Sequence, residues 1–212
     1  MPPPVLAVEG LVLARQGVIL SHPLSFSLSA GEALHLVGAN GSGKTTLLNT
    51  LATLSVPISG HIYWQGQPQP SFGDELRALW HYCGHIDALK HELTLLENVQ
   101  WQTRLMGYAL STEALQLALE QMALSSVLHV PVGLFSKGQQ RRAALLKLRL
   151  FSRPLWLLDE PFSALDTDGA AILVNWIDQH LSAGGTVIFT THQSYPPLAR
   201  TPAQLLLEKR HI

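Results

Sequence analysis

Residues 38–45 read Gly38-Ala39-Asn40-Gly41-Ser42-Gly43-Lys44-Thr45, and Thr46 follows. The run fits G-x-x-x-x-G-K-[ST], a loop whose glycines let successive backbone N–H groups turn inward around phosphate oxygens. Just before it, Ala33-Leu34-His35-Leu36-Val37 is short and mostly apolar, as expected for a parallel strand covered on both faces. Just after it, residues 44–54 carry a helix-like pattern, so a helix N-terminus and its positive dipole end should face the same phosphates. Lys44 is expected to place its charge at the outer phosphates of a nucleotide, and the Thr45 hydroxyl to take a place on Mg²⁺. A glycine-rich turn with no ligand would require neither Lys44 nor Thr45.

A second run, Leu155-Trp156-Leu157-Leu158-Asp159-Glu160, is a buried-strand pattern ending in two acids. An Asp at the carboxyl end of such a strand lies near the phosphate loop in open parallel sheets. Asp159 is expected to hold Mg²⁺, through water, and Glu160 to orient and polarise the attacking water. Taken alone, an acidic pair after a core strand is as readily a solvated turn. The phosphate loop upstream is what favours chemistry.

Strand-like runs recur at 5–13, 24–28, 33–37, 61–64, 155–158 and 186–190. Helix-like runs lie at 44–54, 95–106, 112–122, 138–151 and 169–181. Strands alternating with helices imply an α/β fold, expected as a mainly parallel sheet core with antiparallel strands. The stretch 86–150 has little strand signal. One domain over 1–212 is expected, with 1–85 and 151–212 as the sheet core and 86–150 as an inserted helical subdomain. Thr94-Leu95-Leu96-Glu97 and Ser136-Lys137-Gly138-Gln139 both read as capping boxes, so a helix should start at each.

Composition narrows the classes. The 212 residues are 47% hydrophobic and carry a net charge of -1, which gives no electrostatic footprint for nucleic acid. Cys83 is the only cysteine, so no internal disulfide can form and a reducing compartment fits. Met1-Pro2-Pro3-Pro4-Val5 lacks the features of a signal peptide. Residues 45–73 hold no Asp, Glu, Lys or Arg, yet Pro57, Gly60, Gln65, Gly66 and Gln67 argue against a membrane span. Membrane association is therefore expected to come through a partner.

Phe135-Ser136-Lys137-Gly138-Gln139-Gln140-Arg141-Arg142 resembles the signature of ABC ATPases at Ser136, Gly138 and Gln139. Ser163-Ala164-Leu165-Asp166 resembles the D-loop, and Thr191-His192 the switch histidine. With the phosphate loop and Asp159-Glu160, the chain resembles ABC transporter ATPases along almost its whole length. The resemblance implies ATP and Mg²⁺ as ligands and a homodimer with head-to-tail ATP sites. Ser136, Lys137, Gly138 and Gln139 of one copy would cap ATP held by the other, and His192 would touch its γ-phosphate. Lys44, Glu160 and His192 would form the catalytic set.

A narrower match follows. Trp80-His81-Tyr82-Cys83-Gly84-His85-Ile86-Asp87-Ala88-Leu89-Lys90 and Leu93-Thr94-Leu95-Leu96-Glu97-Asn98 resemble the haem-exporter ATP-binding subunits of cytochrome c maturation. Pro131-Val132 and Pro154 to Pro161 match as well. That resemblance implies a peripheral subunit on the cytoplasmic face of a bacterial inner membrane, with integral-membrane Ccm subunits as partners and haem handling as the work driven. A soluble assembly ATPase of the iron–sulfur type, or the ATPase of another ABC exporter, is the alternative.

Three positions depart from the general pattern. His85 stands where most of the family has a Gln facing Mg²⁺ and water. Arg15 lies where many members stack an aromatic on adenine, and it could stack through its guanidinium plane or simply face solvent. Lys137 adds a charge inside the signature. His81, Cys83 and His85 alternate, so on a strand all three could face one way and ligate metal or haem. The edge of the nucleotide site plus a small core cysteine is the favoured explanation.

Overall fold

The computed structural model describes residues 5–68 and 79–209. The expectations for Met1 to Pro4, for the last part of the uncharged stretch and for the chain's final residues lie outside these. The chain first forms β1 (Leu6–Val12), β2 (Ala14–Arg15), β3 (Val18–Ile19), β4 (Leu24–Leu28) and β5 (Ala33–Val37). Then come α1 (Lys44–Leu51), β6 (Ser59–Trp64) and β7 (Gln67–Pro68). Beyond residue 78 the order is β8 (Trp80–Cys83), α2 (Leu95–Met106), α3 (Thr112–Gln121), α4 (Lys137–Leu145) and α5 (Lys147–Leu150). β9 (Leu155–Leu158), α6 (Thr167–Ser182), β10 (Thr186–Thr190) and β11 (Ala203–Leu206) complete it.

The sheet order is β11-β5-β10-β9-β8, with every neighbouring pair parallel. An antiparallel sheet, β4-β1-β6-β7, and the small β2-β3 hairpin stand beside it. Side chains of the parallel strands alternate between two apolar clusters, as a period of two requires. Ala33, Cys83, Trp156, Leu158, Val187 and Phe189 face the cluster that also takes in α2 to α6. Leu34, Leu36, Leu155, Leu157 and Ile188 face the cluster built from α1 and the antiparallel sheet. Strands β9 and β10 are buried at every position, which is why they read as unbroken apolar runs. Burying one such Leu or Ile side chain stabilises by about 1.5–3 kcal/mol.

Both capping boxes form. Thr94 Oγ1 accepts from Glu97 N at 3.2 Å and Glu97 Oε2 accepts from Thr94 N at 2.8 Å. Ser136 and Gln139 exchange the same pair of bonds at the start of α4.

The sequence is corrected in three places. The single helix expected over 138–151 divides at Leu146, whose N–H bonds Ala143 O, one residue short of the α-helical partner. Lys147 Nζ donates to Tyr82 O at 2.6 Å and ties this tightened turn to β8. Strand β8 ends at Cys83, so His81 and Cys83 are buried while His85 stands exposed beyond the strand. His81 Nε2–H donates to Phe151 O at 2.8 Å, and burial pushes its pKa down to about 3. The three residues therefore do not converge on one ligand. The strands β2, β3, β7 and β11 lie outside the strand-like runs of the sequence. Among the described residues no helix is long and apolar enough to cross a membrane.

Candidate nucleotide site

The loop after β5 wraps the start of α1 because its glycines reach backbone angles that other residues resist. Gly38 has φ 144°, and a Cβ there would come within 2.3 Å of Leu207 O and 2.8 Å of Ser42 Oγ. The helix therefore begins pressed against the sheet, with Lys44 in its first turn. Lys44 is 8% exposed, and its Nζ donates to Gly38 O at 2.7 Å and Ala39 O at 3.1 Å. A buried ammonium needs such acceptors. They hold the charge at the mouth of the loop.

Asp159 arrives from the carboxyl end of β9 and is 3% exposed. Its Oδ2 accepts from Thr45 Oγ1 at 2.8 Å and its Oδ1 from Thr190 Oγ1 at 2.8 Å. Thr190, at the end of β10, in turn accepts from Glu160 N at 2.9 Å. Glu160 has φ 50°, a conformation that a non-glycine residue keeps only where its surroundings hold it. Its Oε2 accepts from His192 N at 3.1 Å, and its Oε1 lies 3.6 Å from His192 Nε2. On β5, the neighbour of β10, His35 stacks on Phe189 with ring centroids 4.7 Å apart, and burial lowers its pKa.

These groups surround one cavity of about 300 Å³. Asn40, Gly41, Gly43, Lys44, Thr45 and Thr46 supply its floor. Asp159, Glu160 and His192 form one wall, and Arg15 and His85 reach the same space. Gly38, Ala39 and Ser42 lie behind the lining. The first two offer their carbonyls to Lys44, and Ser42 Oγ is buried without a partner. The Thr45 hydroxyl and the Asp159 carboxylate, already in contact, are the hard oxygen donors that Mg²⁺ takes alongside phosphate and water. The residues present therefore fit that ion.

The signature residues do not line this cavity. Ser136 and Lys137 are exposed at the N-terminus of α4, and Gly138 and Gln139 are partly covered. Lys137 Nζ turns back to Gln140 Oε1 at 3.2 Å. A Cβ at Gly138 would sit 3.0 Å from Ala164 O, a tight approach. The Ser163–Asp166 segment is thus pressed against the start of α4, with Ala164 at φ 61°. Asp166 caps α6 through Gly169 N at 3.0 Å and pairs with Arg142. The Gly169 N–H and then the Arg142 guanidinium hold its carboxyl below the usual range.

Three contributors had no forecast. Leu20 lines the cavity beside Arg15. Thr190 bridges the two acids. Arg141, buried beneath the Glu160 turn, donates to Glu160 O at 2.7 Å. A Thr-Thr-His end to strand 186–190 and an Arg doublet inside the signature were the available signals.

Comparison with known proteins follows the same lines. The family model described as "ABC transporter" matches residues 21–163. The "Cytochrome c biogenesis ATP-binding export protein CcmA" of Cupriavidus necator is 40% identical over 193 residues, covering 91% of this chain and 85% of that protein. The protein of the same description from Pseudomonas savastanoi pv. phaseolicola is 43% identical over 204 residues, covering 95% and 92%. A solved structure described as an ATP-binding subunit of an ABC transporter superposes with a TM-score of 0.79 at 26% identity, covering 89% of this chain and 79% of that one.

Proposed function

The chain belongs to the ABC transporter family as an ATP-hydrolysing subunit, and from that premise we propose that it drives the haem-handling step of cytochrome c maturation. The observation that carries this is the single cavity where Lys44, Thr45, Asp159, Glu160 and His192 meet, in a chain whose matched relatives are cytochrome c biogenesis export proteins. The chain associates with a membrane peripherally, through integral-membrane Ccm subunits, on the cytoplasmic face of the bacterial inner membrane.

Loop N–H groups and Lys44 hold the β- and γ-phosphates of ATP. Arg15 covers the base. Thr45 and Asp159 would hold Mg²⁺, which when bound would supply charge that offsets the phosphates. Glu160 accepts a proton from the attacking water at its carboxylate, aimed by the His192 N–H and by the pinned backbone on either side. His192 sits across from Glu160 and meets the γ-phosphate. His85, exposed at the cavity edge, takes the place of the Gln usual in the family.

Two copies are joined head to tail. The exposed Ser136 and the α4 N-terminus of each supply donors to the γ-phosphate of the other. ATP then favours closure, and its hydrolysis favours opening. Within each copy, 86–150 serves as the helical unit that carries the signature against the core. A bacterium whose own subunit is replaced by this chain tests the reading. Haem-stained c-type cytochromes should return with the parent chain and stay absent with Glu160→Gln. Normal c-type cytochromes with Glu160→Gln as the sole copy would contradict it.

A further inference from the structure

Arg141 is 3% exposed, in the middle of α4. A guanidinium has five N–H donors in a planar fork. Here each has an acceptor. Nε donates to Pro161 O at 3.3 Å, and Nη2 to Asp159 O at 2.9 Å and Glu160 O at 2.7 Å. Nη1 donates to Gly84 O at 3.0 Å and Asp87 Oδ1 at 2.8 Å. The Asp87 carboxylate balances the buried charge.

These bonds fall on two turns that both face the nucleotide cavity. One follows β9 and carries Glu160, and the other follows β8 and carries His85. The effect on Glu160 is specific. The peptide before it is fixed at its carbonyl by Arg141 and at its N–H by Thr190. The peptide after it is fixed at its carbonyl by Arg141 again. With both flanking planes pinned, the positive φ of 50° is maintained and the Cα–Cβ bond has one direction, from which the His192 N–H draws the carboxylate at 3.1 Å. Lys could not replace this fork, since a compact ammonium cannot meet acceptors spread over two turns.

We infer that Arg141 is a positioning residue for ATP hydrolysis, holding the Glu160 turn and the His85 turn to the signature helix as one unit. The inference rests on Glu160 being the group that polarises the attacking water. Because Ser136 caps α4, a displacement of the signature end reaches Glu160 through Arg141 without passing through the nucleotide.

The test uses the complex with its membrane partners and four chains: parent, Arg141→Lys, Glu160→Gln and the double variant. Arg141→Lys should lower kcat on the order of 10²-fold, as a mis-aimed group does, with KM for ATP and ATP affinity of the isolated chain unchanged. The double variant should turn over no more slowly than Glu160→Gln alone, because a carboxylate already removed cannot be mis-aimed. A merely structural Arg141 would instead raise KM, weaken ATP binding, or multiply its loss onto that of Glu160→Gln, and any of these overturns the inference. Glu160→Gln turning over like the parent overturns the Glu160 assignment and this inference with it. If Arg141→Lys does not fold, Asp87→Asn carries the same test by loosening the guanidinium in place. The same kcat-only loss, masked by Glu160→Gln, supports the inference, and a multiplying loss overturns it.

Discussion

Lys44 and Ser136 stand at the starts of two helices that the proposed mechanism brings to phosphate, yet they are prepared in opposite ways. Lys44 is 8% exposed and spends its hydrogen bonds on carbonyls of its own loop, facing a walled cavity. Ser136 is exposed, its cap satisfied within one turn, and it does not line that cavity. The phosphate-loop half is a pocket assembled before ATP arrives. In the head-to-tail arrangement proposed above, the signature half is a surface that becomes a site when a second copy supplies the nucleotide. Substitutions should therefore separate into those that abolish binding and those that abolish turnover alone.

The largest effect is expected from Lys44→Ala, which removes positive charge from the outer phosphates. Equilibrium binding of a fluorescent ATP analogue to the isolated chain should be lost. Binding at the parent level would break the distinction at its first half. Glu160→Gln comes next. It should leave that binding intact and slow hydrolysis roughly 10²–10⁴-fold, the span for losing a general base, with phosphate release as the readout. Ser136→Arg should bind ATP like the parent in isolation and fail to turn over in the complex. A drop in the isolated chain's affinity would mean that the signature half already contributes within one copy.

Thr190→Val should act more mildly. It leaves Asp159 Oδ1 and the Glu160 N–H without their partner, costing about 1–3 kcal/mol in urea unfolding. Thr190→Ser, which keeps the hydroxyl, should restore both stability and turnover.

The smallest effect at neutral pH comes from His81, behind both halves. Its folded pKa of about 3 lies below the ordinary 6.5, so the unfolded chain takes the proton first. Its contribution to stability is complete above about pH 6.5 and is lost as pH falls toward 3, about 2 kcal/mol by pH 5. Replacing His81 with Gln should flatten that part of the stability profile, while turnover at neutral pH is unchanged.

The same contrast explains what was legible in the sequence. The phosphate loop is a local motif, and β5, β9 and β10 are short, mostly apolar runs that lead into motifs, so local pattern and tertiary role coincide. The two capping boxes were legible because each is closed within four residues. What depended on distant partners was hidden. His81 in β8 reads as a candidate ligand until Phe151 O, from a far part of the chain, is seen to satisfy its ring. β11 is a largely exposed edge strand with little apolar signal. Arg141 looks like an ordinary helix-surface charge until the Gly84, Asp87 and Asp159–Pro161 acceptors are brought to it. The break at Leu146 likewise follows from the tie between Lys147 and Tyr82 O.

The claim that one chain's pocket is completed by another chain's signature is tested most directly by mixing two inactive subunits. Complexes are purified with two different tags, so that each holds one Lys44→Ala chain and one Ser136→Arg chain. The mixed pair retains one composite site with an intact Lys44 facing an intact Ser136, and one site in which both are lost. ATP hydrolysis clearly above that of either uniform parent complex is the predicted result. A mixed dimer that forms but turns over no faster than its inactive parents would contradict the head-to-tail account.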